Sequence, residues 1–339
     1  MQWESSTLDE KKVRAGFWKN RRVFITGITG FVGSWLADRL VRAGANVTGL
    51  VKNGTLRGSH LIHLGLDRRV SLVSGCLEDL PLLCRAIKRK RISVVYHLGA
   101  QPIVATANRY PVPTFKTNIE GTWNLLEACR SNPHIRAVVV ASSDKAYGSH
   151  KKLPYKENFP LNAEYPYDVS KACADLIARS YFKTYHLPAV VTRFANLYGP
   201  GDLNFSRIVP DTIRSILQGK PPLLRSDGTP ERDYLYIDDA VDLYLLLAER
   251  INITQGQTFN AGHNRPVSVR KVVRTLLRLA GREDLQPQIL AKGNLHGEID
   301  RQWLDGGKAK RLFGWQPAVP LEEGLRRTLI WYRLYLTPS

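Results

Sequence analysis

The sequence predicts an α/β fold, built on one open, doubly wound parallel sheet with a smaller, discontinuous α/β cap. Two observations predict it. From residue 22 onward, short runs rich in Val and Ile alternate with segments of helical period, and after about residue 196 this rhythm loosens into loops carrying Pro and Gly. Strands rich in β-branched residues and separated by helices belong in a parallel sheet covered on both faces. With 339 residues, 43% of them hydrophobic and 23% charged, the chain can bury one large core or two smaller ones.

The elements follow in order. Residues 1–20 read as an N-terminal extension, charged throughout and without an apolar run of signal-peptide length. "RVFIT", "NVTGLV", "RVSLVSG", "ISVVYHLGA", "IRAVVVASS" and "PAVVTRFA" are the expected strands of a dinucleotide-binding domain over 21–195. Helices are expected over 112–131 and 165–185 within it. Residues 196–339 are expected to form mainly a substrate-binding cap, with short strands such as "RDYLYI" and helices near 206–218, 238–249, 268–280 and 320–334. A stretch at about 232–265 is expected to return to the sheet. No repeat or low-complexity tract interrupts the pattern.

Composition narrows the function classes. No stretch approaches about 18 uninterrupted apolar residues, so no membrane span is expected. Cys76, Cys84, Cys129 and Cys173 are too scattered for a metal knuckle and too few for a disulfide framework, which points to a reducing cytoplasm and no structural metal. A formal charge of +19 attracts anions. The densest basic run, "RAIKRKR" at 85–91, lacks aromatics and reads as a solvated helix end rather than a nucleic-acid surface.

"RVFITGITGFVGSWLADRL" sets Gly27, Gly30 and Gly33 between the first strand and an amphipathic helix. Glycines there allow a tight turn and close backbone approach, so a pyrophosphate can rest on free N–H groups at the helix start. The position of the turn in an alternating α/β chain makes this a Rossmann-like dinucleotide site. "YPYDVSKACAD" then supplies Tyr167 and Lys171, four apart and on one helix face. An ammonium beside a phenol stabilises the phenolate, and the expected result is a tyrosine whose pKa falls towards working pH.

The Gly-x-x-Gly-x-x-Gly spacing, Ser143 at the end of a strand, and the Tyr-x-x-x-Lys pair together resemble the extended short-chain dehydrogenase/reductase family. That resemblance implies a dinucleotide bed of Gly27, Thr29, Gly30, Phe31, Val32 and Gly33, with Lys52, Arg57, Cys76, Leu77, Leu98, Ala100, Gln101, Asn118, Tyr167 and Lys171. Two positions depart from the family. The second strand, "NVTGLVKNGTLRG", ends without the acid that holds a ribose 2′-hydroxyl and offers Lys52 and Arg57, which favours a 2′-phosphate; Cys76 stands where Asp is usual. Both NAD and NADP stay open.

"ASSDKAYG" at 141–148 carries the finer resemblance. Most nucleotide-sugar 4,6-dehydratases of the family have Thr-Asp-Glu there; Ser143-Asp144-Lys145 resembles the CDP-glucose 4,6-dehydratases, as does the early Phe17-Trp18. The resemblance implies that Tyr167 deprotonates the sugar 4-hydroxyl, Ser143 bonds that oxygen and Lys171 supports the tyrosine. Asp144, protonated, then donates to the departing 6-hydroxyl. Lys145 either accepts the C5 proton as a neutral amine or, charged, stabilises the enolate.

Asn196, Arg207, Arg232 and Arg301 fall where relatives hold the sugar diphosphate, a task suited to the planar guanidinium fork. The expected partner is a nucleotide-diphosphate sugar, with a homodimer through helices 112–131 and 165–185, and no nucleic acid. Two other functions fit the same fold: a nucleotide-sugar 4-epimerase, needing only Ser143, Tyr167 and Lys171, and a non-catalytic dinucleotide sensor.

Overall fold

The computed structural model describes residues 16–54, 56, 58–290 and 299–336. Arg57, expected at the dinucleotide, lies outside the described residues, as does most of the N-terminal extension. Seven strands form one parallel sheet: β1 (Arg22–Thr26), β2 (Asn46–Val51), β3 (Ser71–Ser74), β4 (Val94–His97), β5 (Ala137–Ala141), β6 (Ala189–Phe194) and β7 (Thr258–Ala261). Their spatial order is β7-β6-β5-β4-β1-β2-β3. Strand order reverses between β1 and β4, and at such a switch point the connections diverge to opposite faces, opening a crevice beyond the carboxyl ends.

Register explains the composition. Ile25 of β1 lies between Gly49 of β2 and Tyr96 of β4. Every residue of β4 and β6 is buried, as central parallel strands require, whereas β3 at the edge is mostly exposed. β7 carries no Val or Ile to announce it; "TFNA" becomes a strand because β6 offers it a ladder, Phe259 opposite Thr192.

The helix Phe31–Arg42 follows β1, and Trp35 on its buried face donates to the Pro200 carbonyl at 2.7 Å. Ile237–Glu249, within the stretch 232–265 expected to return to the sheet, packs on it. Arg39 pairs with its Asp242 at 2.6 Å, and Tyr96 of β4 donates to the Tyr244 carbonyl at 3.3 Å. Val241, Leu243, Leu245 and Leu247 fall on opposite sides of this helix and all are buried, as in a helix packed on more than one side. The expected helix over 112–131 is interrupted: Pro111–Phe115 leads through a π turn, Lys116–Glu120, into Gly121–Arg130. Such a turn inserts one residue and re-aims a side chain, here Asn118.

Beyond β6, helices Ile208–Leu217, Val269–Ala280 and Leu321–Leu336 gather around short strand pairs. Glu231–Arg232 lies between Val267–Ser268 and Arg301–Gln302. Ile213, Leu276 and Leu325 are fully buried there, in a hydrophobic cluster continuous with the sheet's own core at Ile25 and Leu36. Among the described residues no helix is long and apolar enough to cross a membrane. Lys88 to Arg91, in the basic run, are exposed at a helix end, as read from the sequence.

Candidate active site

A cavity of about 870 Å³ opens where the sheet's carboxyl ends meet the cap. Its floor is the turn after β1. Gly27 has φ +72°, and a Cβ there would lie 2.9 Å from the backbone of Gly99; a Cβ on Gly33 would lie 2.2 Å from the Gly27 carbonyl oxygen. Only glycine permits this turn and this approach of helix to strand. Gly30 caps the helix without a side chain, so the first helical N–H groups are left for an anion. Thr29, Phe31 and Val32 complete that wall. The arrangement fits a dinucleotide pyrophosphate.

Along the cofactor side, Lys52, Cys76, Leu77, Leu98 and Ala100 line the cavity. Gln101 and Asn118 do not, and their side chains serve the backbone instead. Asn118 accepts from the Gln101 N–H at 2.7 Å and donates to the Gln101 carbonyl at 3.2 Å and to Ser170 Oγ at 2.9 Å. Gln101 accepts from the Ile103 N–H at 2.6 Å. The π turn points Asn118 inward, and together they fix the loop after β4 rather than touch the cavity. Behind it, His97 sits between Thr26 and Thr122 hydroxyls at 2.9 Å each and is held neutral by burial, its pKa lowered to about 3.

The reacting end is built by β5 and the turn Asp144–Tyr147 that follows it. Ser143 caps that turn, accepting from the Lys145 N–H at 3.2 Å while its hydroxyl donates to Asp144 Oδ1 at 3.0 Å. Below it, Arg193 forks onto Asp175 at 2.7 and 3.0 Å and donates to Tyr147 Oη at 2.8 Å, and Tyr147 donates to Asn260 at 2.8 Å. This buried lattice fixes the turn's last residue and with it the backbone that carries Asp144 and Lys145. Ser143, Asp144, Lys145, Tyr167 and Lys171 all line the cavity.

Electrostatics distinguish these groups. Burial raises the Asp144 carboxyl above the usual carboxylate range, against the lowering pull of Lys145. Burial lowers Lys171 to about 8, and its Nζ donates to the Ala141 carbonyl at 2.8 Å. Tyr167 departs from the sequence expectation. Burial pushes it up to about 12, and the positive charge that pulls it back most is that of Arg207 rather than Lys171. With its ammonium given to the β5 carbonyl, Lys171 leaves the phenol in its neutral form.

On the cap side, Asn196, Arg207 and Arg232 line the cavity. Arg207 pairs with Asp202 at 3.0 Å, and Arg232, buried, donates to the Glu231 and Asp300 carbonyls at 3.0 and 3.3 Å. Arg301 does not reach the cavity: it is exposed, pairs with Glu231 at 2.7 Å and lies over the Trp303 ring. Parallel pairing sets Arg301 opposite Glu231 and Gln302 opposite Arg232, so this register carries Arg301 to the strand's outer side. Sequence reasoning also missed Glu78, Asp168 and Arg225 in the lining; the acid in "CLED" was the one available signal for Glu78.

The profile of the GDP-mannose 4,6 dehydratase family matches residues 24–328. The chain belongs to that family. It is 30% identical over 336 residues to a CDP-glucose 4,6-dehydratase of Salmonella typhimurium, covering 94% of this chain and 92% of that protein. The dTDP-glucose 4,6-dehydratase of Streptomyces venezuelae, solved with NAD bound, superposes with a TM-score of 0.83 at 29% identity, over 92% of this chain and 97% of that one. A UDP-glucose 4-epimerase of Thermotoga maritima, solved with UDP-glucose, gives 0.85 at 30% identity, over 93% and 100%. Family membership thus accounts for the sheet, the glycine turn and the Tyr-Lys helix, while dehydratases and epimerases share that fold. Among the described residues no group of three His, Cys, Asp or Glu is placed to hold a metal ion.

Proposed function

We propose that the chain is a cytoplasmic nucleotide-sugar 4,6-dehydratase, converting a nucleotide-diphosphate hexose into its 4-keto-6-deoxy product. The observation that carries this reading is the pair Asp144 and Lys145 in the cavity wall beside Ser143, Tyr167 and Lys171. A 4-epimerase needs no acid for a C6 hydroxyl, and a buried carboxyl held above its usual range is costly unless a proton is wanted there.

The dinucleotide, which we take as NAD, supplies a hydride acceptor and donor for the sugar. The NAD-bound dehydratase relative supports that choice. Lys171 exchanges its carbonyl partner for Tyr167, whose phenol gives up its own proton to solvent; the phenolate then takes the 4-hydroxyl proton, and Ser143 holds the oxygen at C4. The 4-ketone acidifies C5–H. Asp144 protonates the departing 6-hydroxyl, giving water. Arg207, Arg232 and Asn196 hold the diphosphate from the cap.

A homodimer through 112–131 and 165–185 is supported by apolar side chains left exposed there: Val112, Trp123, Leu176 and Tyr185, between 44% and 62% accessible. A monomer in sedimentation at micromolar concentration would contradict it.

Asp144→Asn tests the central assignment. It should still reduce the nicotinamide as C4 is oxidised, yet lose 4-keto-6-deoxy product by roughly 10²–10⁴-fold. Product at the wild-type rate would remove Asp144 from the acid role.

A further inference from the structure

Asp168 follows Tyr167 in the first turn of the helix Pro166–Tyr185, and no step above uses it. It lines the cavity, is only 4% exposed, and its Oδ1 is enclosed without a hydrogen-bond partner. Buried polar atoms are nearly always paired, and one left unpaired in a binding cavity points to a ligand group. The helix dipole favours an acid in a first turn. That accounts for the residue type but not for its burial, since a solvent-facing carboxylate would gain the same interaction without desolvation.

The groups facing Asp168 define its chemistry. Lys145 lowers its carboxyl and Asp144 raises it; burial outweighs both and lifts it to about 6. Removing the C5 proton requires a lone pair at neutral pH. An ammonium has none to offer. A carboxylate of slightly raised basicity has one, and a base poised near the working pH transfers protons most effectively. Asp168 enters the cavity lining from the neighbouring helix, within the field of Lys145 and Asp144.

We propose, resting on the dehydratase reading, that Asp168 takes the proton from C5 of the sugar and that Lys145, as an ammonium, holds the resulting enolate. The C5–H bond breaks, its proton passes to Asp168, and the electron pair moves into C4–C5 with charge on O4. The enolate then collapses: the C4 carbonyl re-forms, C5=C6 forms, C6–O breaks, and the hydroxyl leaves as water with the proton of Asp144. Once Asp168 has exchanged its proton with solvent and hydride returns to C6 from the reduced nicotinamide, C5 recovers a proton from Asp168. The proton that Tyr167 took from the 4-hydroxyl restores Asp144. No outside oxidant or reductant is consumed.

The test uses holoenzyme in D2O with a nucleotide sugar that the wild type converts, following nicotinamide reduction, deuterium at C5 and keto product. Asp168→Asn should keep C4 oxidation, which also reports a folded site, and lose C5 labelling by roughly 10²–10⁴-fold. Asp168→Glu should label about tenfold more slowly than wild type, because a displaced base is a poorer one. Lys145→Met should slow C5 labelling and product formation together, and by less than Asp168→Asn slows labelling. Wild-type labelling in Asp168→Asn, or labelling lost in Lys145→Met alone, overturns the assignment. Should the Asn variant not fold, wild-type labelling in Asp168→Glu overturns it. A wild type that converts no nucleotide sugar overturns the dehydratase reading and this assignment with it, whereas an active wild type with an unimpaired Asp168→Asn overturns this assignment alone.

Discussion

Lys171 leaves a trace in pH that can be separated from turnover. Its folded pKa, about 8, lies below its ordinary 10.5. Between those values the unfolded chain binds more protons than the folded one, so this residue's contribution makes the protein more stable as pH rises through that window. Wild type should therefore gain stability over Lys171→Met between about pH 8 and 10, read as the difference in urea midpoints. A flat or falling difference would show that the ammonium is not desolvated. At this scale the sequence was informative wherever chemistry sits in a local pattern. Ser143, Asp144 and Lys145 end a strand, and Tyr167 and Lys171 share a helix face; the resemblance to the short-chain family implied that the two sets meet, and both line one cavity. It was silent on Asp168 and Arg225, which resemble ordinary first-turn and loop residues until tertiary structure encloses them. It misplaced Arg301, because strand register decides which side an alternating residue faces.

Among the elements, the turn Asp144–Tyr147 shows how a short segment is made rigid enough for chemistry. Its own hydrogen bonds, from Ser143, are local and modest; the fixed point is Tyr147 Oη, between Arg193 and Asn260 at 2.8 Å each. Arg193 is 1% exposed, so removing that oxygen leaves a buried donor, Arg193 Nη1, and a buried acceptor, Asn260 Oδ1, each short of a partner. Tyr147→Phe should cost about 1–3 kcal/mol in urea unfolding. It should also lower kcat more than KM, because it loosens the acid without touching the diphosphate side. An unchanged stability and kcat would mean that the turn is held by other contacts. Strands β1, β2, β4, β5 and β6 were legible because Val and Ile mark buried parallel strands. β7 was not, since its existence depends on the ladder that β6 offers. The π turn at Lys116–Glu120 has no composition of its own to reveal it, and Gln101, read as a cofactor ligand, is held by Asn118 as part of the scaffold.

At the scale of the molecule, sheet and cap share a core, and the cavity lies where they meet. The doubly wound order places the glycine turn, the Asp-Lys turn and the Tyr-Lys helix along one edge, and the cap adds cations from Arg207, Arg225 and Arg232. A formal +19 suits a diphosphate ligand, yet most of those charges, Lys88 to Arg91 among them, are solvated and far less specific. Helix Ile237–Glu249, in the stretch read as returning to the sheet, packs against the helix Phe31–Arg42 although cap segments surround it in sequence.

The account's central claim is that this cavity removes water across C5 and C6 rather than only inverting C4. Proton NMR of the holoenzyme incubated with CDP-, UDP-, GDP- and dTDP-hexoses tests it most directly. The account predicts a new C6 methyl doublet and a 4-keto carbon from at least one of them. A 4-epimer with its C6 hydroxymethyl intact, and no methyl signal from any, would contradict it.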